Sequence, residues 1–173
     1  MEENQMTLEE FQSLVEALEE TPRIIQQLAD QLGGDHWTWK PSQEAWSALE
    51  HVCHLKDIEQ EGYAARIEKL IHEPQPFLPD IDGGKLAAER SYNSQNFVVA
   101  LRAFALARQQ NAQAIKDLTL DQLNRSGIFE NAGTITLGRL LLMMREHDLG
   151  HLQDIRDLRE QLRRKTAPLS AAG

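Results

Sequence analysis

The chain has 173 residues, 18 of them basic and 27 acidic, for a net charge of −9 at neutral pH. That length suits one domain with a sizeable core, since a chain near ~150 residues buries roughly 68–70% of its unfolded surface. The acidic balance opposes general nucleic-acid binding, and a single cysteine, Cys53, excludes an internal disulfide and fits a reducing, cytoplasmic setting.

At the start, MEENQMTLEE is acidic and lacks an apolar stretch, which predicts no signal peptide. Elsewhere no apolar run reaches the ~18 residues of a membrane span. Thr7-Leu8-Glu9-Glu10 has the form of a helix capping box. Leu8, Phe11, Leu14, Val15 and Leu18 follow at helical spacing, and Ile24, Ile25, Leu28 and Leu32 continue the stripe to Gly33-Gly34. Pro22 removes one hydrogen bond and crowds the carbonyl four residues back, Leu18. The pattern predicts a helix over 7–33 that is kinked or broken near Pro22.

A second capping box, Ser47-Ala48-Leu49-Glu50, opens a helix expected to run to about His72, stopped by Pro74. Residues 73–84 carry three prolines and two glycines and read as a loop, long enough to line a site. Lys85 to Leu118 is helical in character, broken near Asn93-Ser94, with Phe97, Leu101, Phe104, Ala112 and Ile115 on its apolar face. Residues 119–135 read as a loop with at most a short extended piece at Ile128-Phe129. Thr136 then caps a last helix carrying Leu137, Leu140, Leu141, Met144, Ile155, Leu158 and Leu162 on one side. Arg163, Arg164 and Lys165 near its end suit the negative pole of the helix dipole. Four main helices and no convincing strand predict an all-α bundle over residues 1–165, with a flexible tail at 166–173.

Six histidines against one cysteine stand out in this composition. His147 and His151 are four apart, so they share one helix face with Met144 and Ile155. Two imidazoles among leucines need partners for their ring nitrogens, either hydrogen bonds within the core or a cation. His54 on the second helix adds a third imidazole, and His51, on a nearby face of that helix, rivals it for the place. Three neutral imidazoles leave a tetrahedral cation one open position, the pattern of a catalytic site. Asp57, Glu61 and Asp148 lie within a turn or two of these histidines and are candidate proton acceptors, or else solvated helix charges. Arg108 shares a phase with Phe104 and Ala112. It reads as a cofactor or carboxylate contact at the mouth of the site, or as a boundary arginine with its head in solvent. Cys53 points away from His54 and reads as packing.

Pro41, Trp46-Ser47 and His54-Leu55-Lys56-Asp57-Ile58-Glu59 resemble the W-S-…-H-L-x-D-x-E signature of the DinB-like superfamily. Gly133-Thr134-Ile135-Thr136-Leu137 with His147-Asp148-Leu149-Gly150-His151-Leu152 resembles its G-x-x-T-L…H-D-x-x-H-L signature. The resemblance implies an up-up-down-down four-helix bundle, a homodimer, and a divalent metal such as zinc or nickel held by His54, His147 and His151. On that reading His51 drops out, because the family histidine stands eight residues after the tryptophan. Asp154, where many members have glutamine, is a departure without an assigned role. Members include bacillithiol transferases, mycothiol-dependent maleylpyruvate isomerases and proteins called metal-dependent hydrolases. The implied function is activation of a low-molecular-weight thiol or a water toward a small-molecule substrate, with no nucleic-acid or membrane partner. The alternative is a non-catalytic bundle in which the metal is a structural clamp.

Overall fold

The computed structural model describes residues 6–167. Helix α1 spans Leu8–Leu32, closed at its start by the Thr7–Glu10 capping box. Helix α2, Ala48–Asp57, opens on the Ser47–Glu50 box. It passes through a π-helical stretch, Ile58–Tyr63, into α3, Ala64–His72. Helices α4, Gly83–Glu89, and α5, Phe97–Ile115, flank a 3-10 turn at Tyr92–Ser94, where the sequence places the break. After the short α6, Leu120–Leu123, the chain ends in α7, Leu137–Thr166, capped by Thr136. Helix α7 therefore continues through Thr166, where the tail was expected to begin; residues 168–173 lie outside the described residues.

The bundle is built crosswise: α1 packs against α5 and α7, and α2 packs against the same two helices. A small sheet closes one end. Strand β1, Phe77–Leu78, runs parallel to β2, Ser126–Phe129, with Phe77 opposite Ile128. Strand β3, Gly133–Thr136, pairs antiparallel with β2. Both segments expected to be loops thus contribute strands. These are two to four residues long, too short for alternation to register, and they form because Leu78, Phe129 and Ile135 bury against Leu137 and Leu140.

Helix α1 is not broken at Pro22. Proline leaves the Leu18 carbonyl without its helical donor, and the Arg108 Nη1 fills that place at 2.9 Å. Arg108 also chelates Glu59 (2.9 Å from both Nε and Nη2) and Asp148 (2.6 Å from Nη1, 2.9 Å from Nη2). All five guanidinium N–H groups are thereby used. Thr21 Oγ1 donates to Asp148 at 2.8 Å and Asn111 Nδ2 to Glu59 at 2.8 Å.

These residues form a polar layer between two apolar clusters. On one side lie Leu18, Ile58, Ile115 and Met144; on the other, Ile25, Leu55, Phe104 and Leu152. Each bundle helix supplies both clusters and crosses the layer between them. Arg108 is thus a buried hub, neither at the mouth of a site nor snorkelling, and it is 1% exposed.

Replacing Arg108 with Met strands two buried carboxylates, so urea unfolding should show a loss of about 3–5 kcal/mol. Arg139→Met removes only the exposed pair with Glu146 and should cost less than about 1 kcal/mol. Equal effects would show that the buried hub contributes no more than a surface pair.

Candidate metal centre

His54 sits near the end of α2, just before the π-helical stretch, and His147 and His151 lie one turn apart on α7. Their Nε2 atoms converge. His54 Nε2 is 3.0 Å from His147 Nε2, and His151 Nε2 is 3.1 Å from the same atom. Imidazoles on a tetrahedral cation at 2.0–2.1 Å would stand about 3.3 Å apart, within a few tenths of an ångström of these spacings. Mutual hydrogen bonds cannot satisfy three converging nitrogens at once, because each N–H between them serves one acceptor; one cation takes all three lone pairs. The Nδ1 atoms of His54 and His147 are buried without a partner among the described residues. The donor set therefore fits a divalent ion, and the residues that would hold it are the three the resemblance implied.

Burial is the largest cause of the histidines' electrostatics. It pushes His54 and His147 down to about 3, with neighbouring His151 adding to the effect, and lowers His151 as well. All three rings are neutral at neutral pH, the state a metal ligand requires. Trp46 lies over the group, its ring stacked on His151 (centroids 6.2 Å apart, 9° between planes) and 5.0 Å from His54. Gly83, at the start of α4, lies against the His54 ring. A β-carbon there would overlap the His54 ring, 2.7 Å from Nδ1.

A cavity of about 450 Å³ opens beside His51, His151 and Trp46. Glu44, Asp154 and Asp157 also line it, and no lysine or arginine does among the described residues.

The structure does not leave the predicted proton acceptors free. Asp57 is buried and receives Tyr92 Oη at 2.7 Å, Arg90 Nη1 at 2.8 Å and Lys56 Nζ at 2.9 Å. Burial opposes its ionisation, yet these donors outweigh burial and hold the carboxyl below its ordinary value. Glu61 is exposed and clasped by Arg90. Asp148 is committed to Arg108 and Thr21, as described above. Arg108, proposed as a cofactor contact, is absent from the cavity wall. Cys53 is packed as expected, its thiol pushed up to about 11 by burial.

Sequence reasoning missed Asp154 and the place of His51. His51 Nδ1 is 2.8 Å from His151 Nδ1, and Asp154 Oδ2 is 4.0 Å from the same His51 atom. The i, i+3 spacing of His151 and Asp154 was a usable signal, since it puts both on one face of α7. Gly83 carried no readable signal, because its role depends on a contact across the fold.

The sequence matches the family model of the DinB superfamily over residues 17–155. Two solved structures share the fold. YfiT from Bacillus subtilis, described as a probable metal-dependent hydrolase with an unusual four-helix bundle topology, aligns with a TM-score of 0.84. It has 18% identity and covers 94% of this chain and 93% of its own. A DinB-like protein, also from Bacillus subtilis, aligns with a TM-score of 0.59 and 19% identity, covering 87% of this chain and 91% of its own. Comparison with curated proteins finds no match.

Gly83→Ala should displace the His54 ring and weaken metal binding about 10-fold or more in a chelator competition. Gly84→Ala, whose β-carbon would meet only Asp82 Oδ1 at 3.4 Å, should bind as wild type does. Unchanged affinity in Gly83→Ala would mean that the ring does not need this contact surface.

Proposed function

The chain belongs to the DinB superfamily, and from that membership together with the histidine geometry we propose that it is a metal-dependent hydrolase. The observation that carries this reading is the convergence of three neutral Nε2 atoms from His54, His147 and His151, with His151 also on the wall of an open cavity. A divalent cation there, zinc or nickel, supplies Lewis acidity and lowers the pKa of an adjacent water or thiol.

The protein's own contribution is positioning. The three histidines offer their lone pairs from two helices that Arg108 locks in register. Trp46 covers His54 and His151, and Gly83 lets α4 close on the His54 ring. The cavity beside His151 takes the substrate, and Asp154, an exposed carboxylate on its wall with no lysine or arginine partner among the described residues, is placed to accept a proton there.

Water is the better supported nucleophile. A carboxylate-bearing thiol would meet Glu44, Asp154 and Asp157 with no cation on the wall to receive it. YfiT, of the same fold, carries the description of a probable metal-dependent hydrolase. A purely structural clamp fits less well, because closed structural sites use four protein ligands and this group supplies three.

Purified wild-type protein should carry about one equivalent of metal, and His147→Ala/His151→Ala essentially none. Hydrolysis of an uncharged ester such as p-nitrophenyl acetate should stop on chelation and return with zinc or nickel. Equal metal content in the two proteins contradicts the site. Metal without hydrolysis above the double variant returns the protein to the clamp reading, and turnover only with added thiol returns it to the transferase reading.

A further inference from the structure

His51 is 6% exposed and lines the cavity together with His151. Its Nδ1 stands 2.8 Å from the Nδ1 of His151. Two ring nitrogens at that distance share one proton: two lone pairs would repel and two N–H groups would collide. The other side of the His151 ring decides which nitrogen holds it. If Nε2 offers its lone pair to a cation, a neutral ring keeps its proton on Nδ1 and becomes the donor. His51 Nδ1 is then the acceptor, and the His51 proton sits on Nε2.

Resting on the metal-site reading above, we infer that His51 is a positioning residue that holds His151 in its metal-binding tautomer and ring orientation. Of the three histidines only His151 has such support among the described residues, since the Nδ1 atoms of His54 and His147 have no partner among them. His151 is the ligand set in place before the ion arrives, and a histidine fills the supporting role usually taken by a carboxylate or carbonyl. Asp154, at 4.0 Å from His51 Nδ1, is too far for a hydrogen bond to that atom.

The rival arrangement is a second cation held by His51, His151 and Asp154, whose ligand atoms also lie within 4.8 Å of one another. A neutral imidazole has one free lone pair, so His151 could serve both ions only by losing both of its protons. The hydrogen bond requires no such loss.

The test compares zinc affinity, by chelator competition, in wild type, His54→Ala, His51→Leu, His51→Asn and Asp154→Asn. His51→Leu should bind about 10–100-fold more weakly. His51→Asn, whose amide oxygen can replace ring Nδ1 as acceptor, should recover most of that loss, and Asp154→Asn should match wild type. In the zinc-loaded proteins, nitrogen-15 NMR should show a slowly exchanging His151 Nδ1–H in wild type and His51→Asn but not in His51→Leu. Equal affinity in wild type and His54→Ala defeats the metal-site reading and this inference with it. Loss in His54→Ala with wild-type affinity and an unchanged Nδ1–H signal in His51→Leu defeats the inference alone. Binding of a second zinc that Asp154→Asn abolishes establishes the rival cation site instead.

Discussion

Arg108 gives its five N–H groups to Glu59, Asp148 and the Leu18 carbonyl, and so ties α1, the π-helical stretch, α5 and α7 at one level of the bundle. Each partner matters to the others. The Leu18 carbonyl is free because Pro22 has no N–H, and the guanidinium satisfies it without breaking α1. Two carboxylates can be buried there because one cation chelates both and because Thr21 and Asn111 fill remaining lone pairs. An ion group of this kind contributes little stability against an apolar replacement but tolerates no partial loss. Its effect is to set which residues of four helices stand side by side.

The three converging histidines flank the same layer. His147 precedes Asp148, and His54 lies five residues before Glu59, so the hub fixes the two helices that carry the imidazoles. The π-helical stretch begins four residues after His54 and carries Ile58 and Glu59, both buried. π-helical insertions of this sort recur at functional sites. One side of the polar slice therefore holds a closed, fully paired ion group. The other holds imidazoles with nitrogens unmatched among the described residues and, at His151, the wall of a cavity. Pairing is complete where the slice supports the fold and incomplete where a ligand can be taken.

Much of this was legible beforehand. Both long-helix starts, the break near Asn93-Ser94 and the last helix follow from capping boxes, proline and period. The three histidines that converge are those the family signature picks out. What stayed hidden depends on contacts across the chain. The short strands have no alternation to read, and they exist only as a lid on the core. Pro22 looks like a breaker until a donor from α5 reaches its orphaned carbonyl. Arg108 looks like a boundary residue because its phase is visible and its partners are not. His51 rivals His54 on spacing and drops out on the family signature, while its 2.8 Å contact with a ring 100 positions away leaves no trace in either.

Fold and site together describe a bundle whose polar layer holds the helices in register and sets three imidazoles where an ion would fit. The most direct measurement is a crystal structure of the zinc-loaded protein with anomalous diffraction at the zinc edge. The account predicts one strong peak about 2.0–2.1 Å from the Nε2 atoms of His54, His147 and His151. A peak between His51 Nδ1 and Asp154, or none near the three Nε2 atoms, would contradict it.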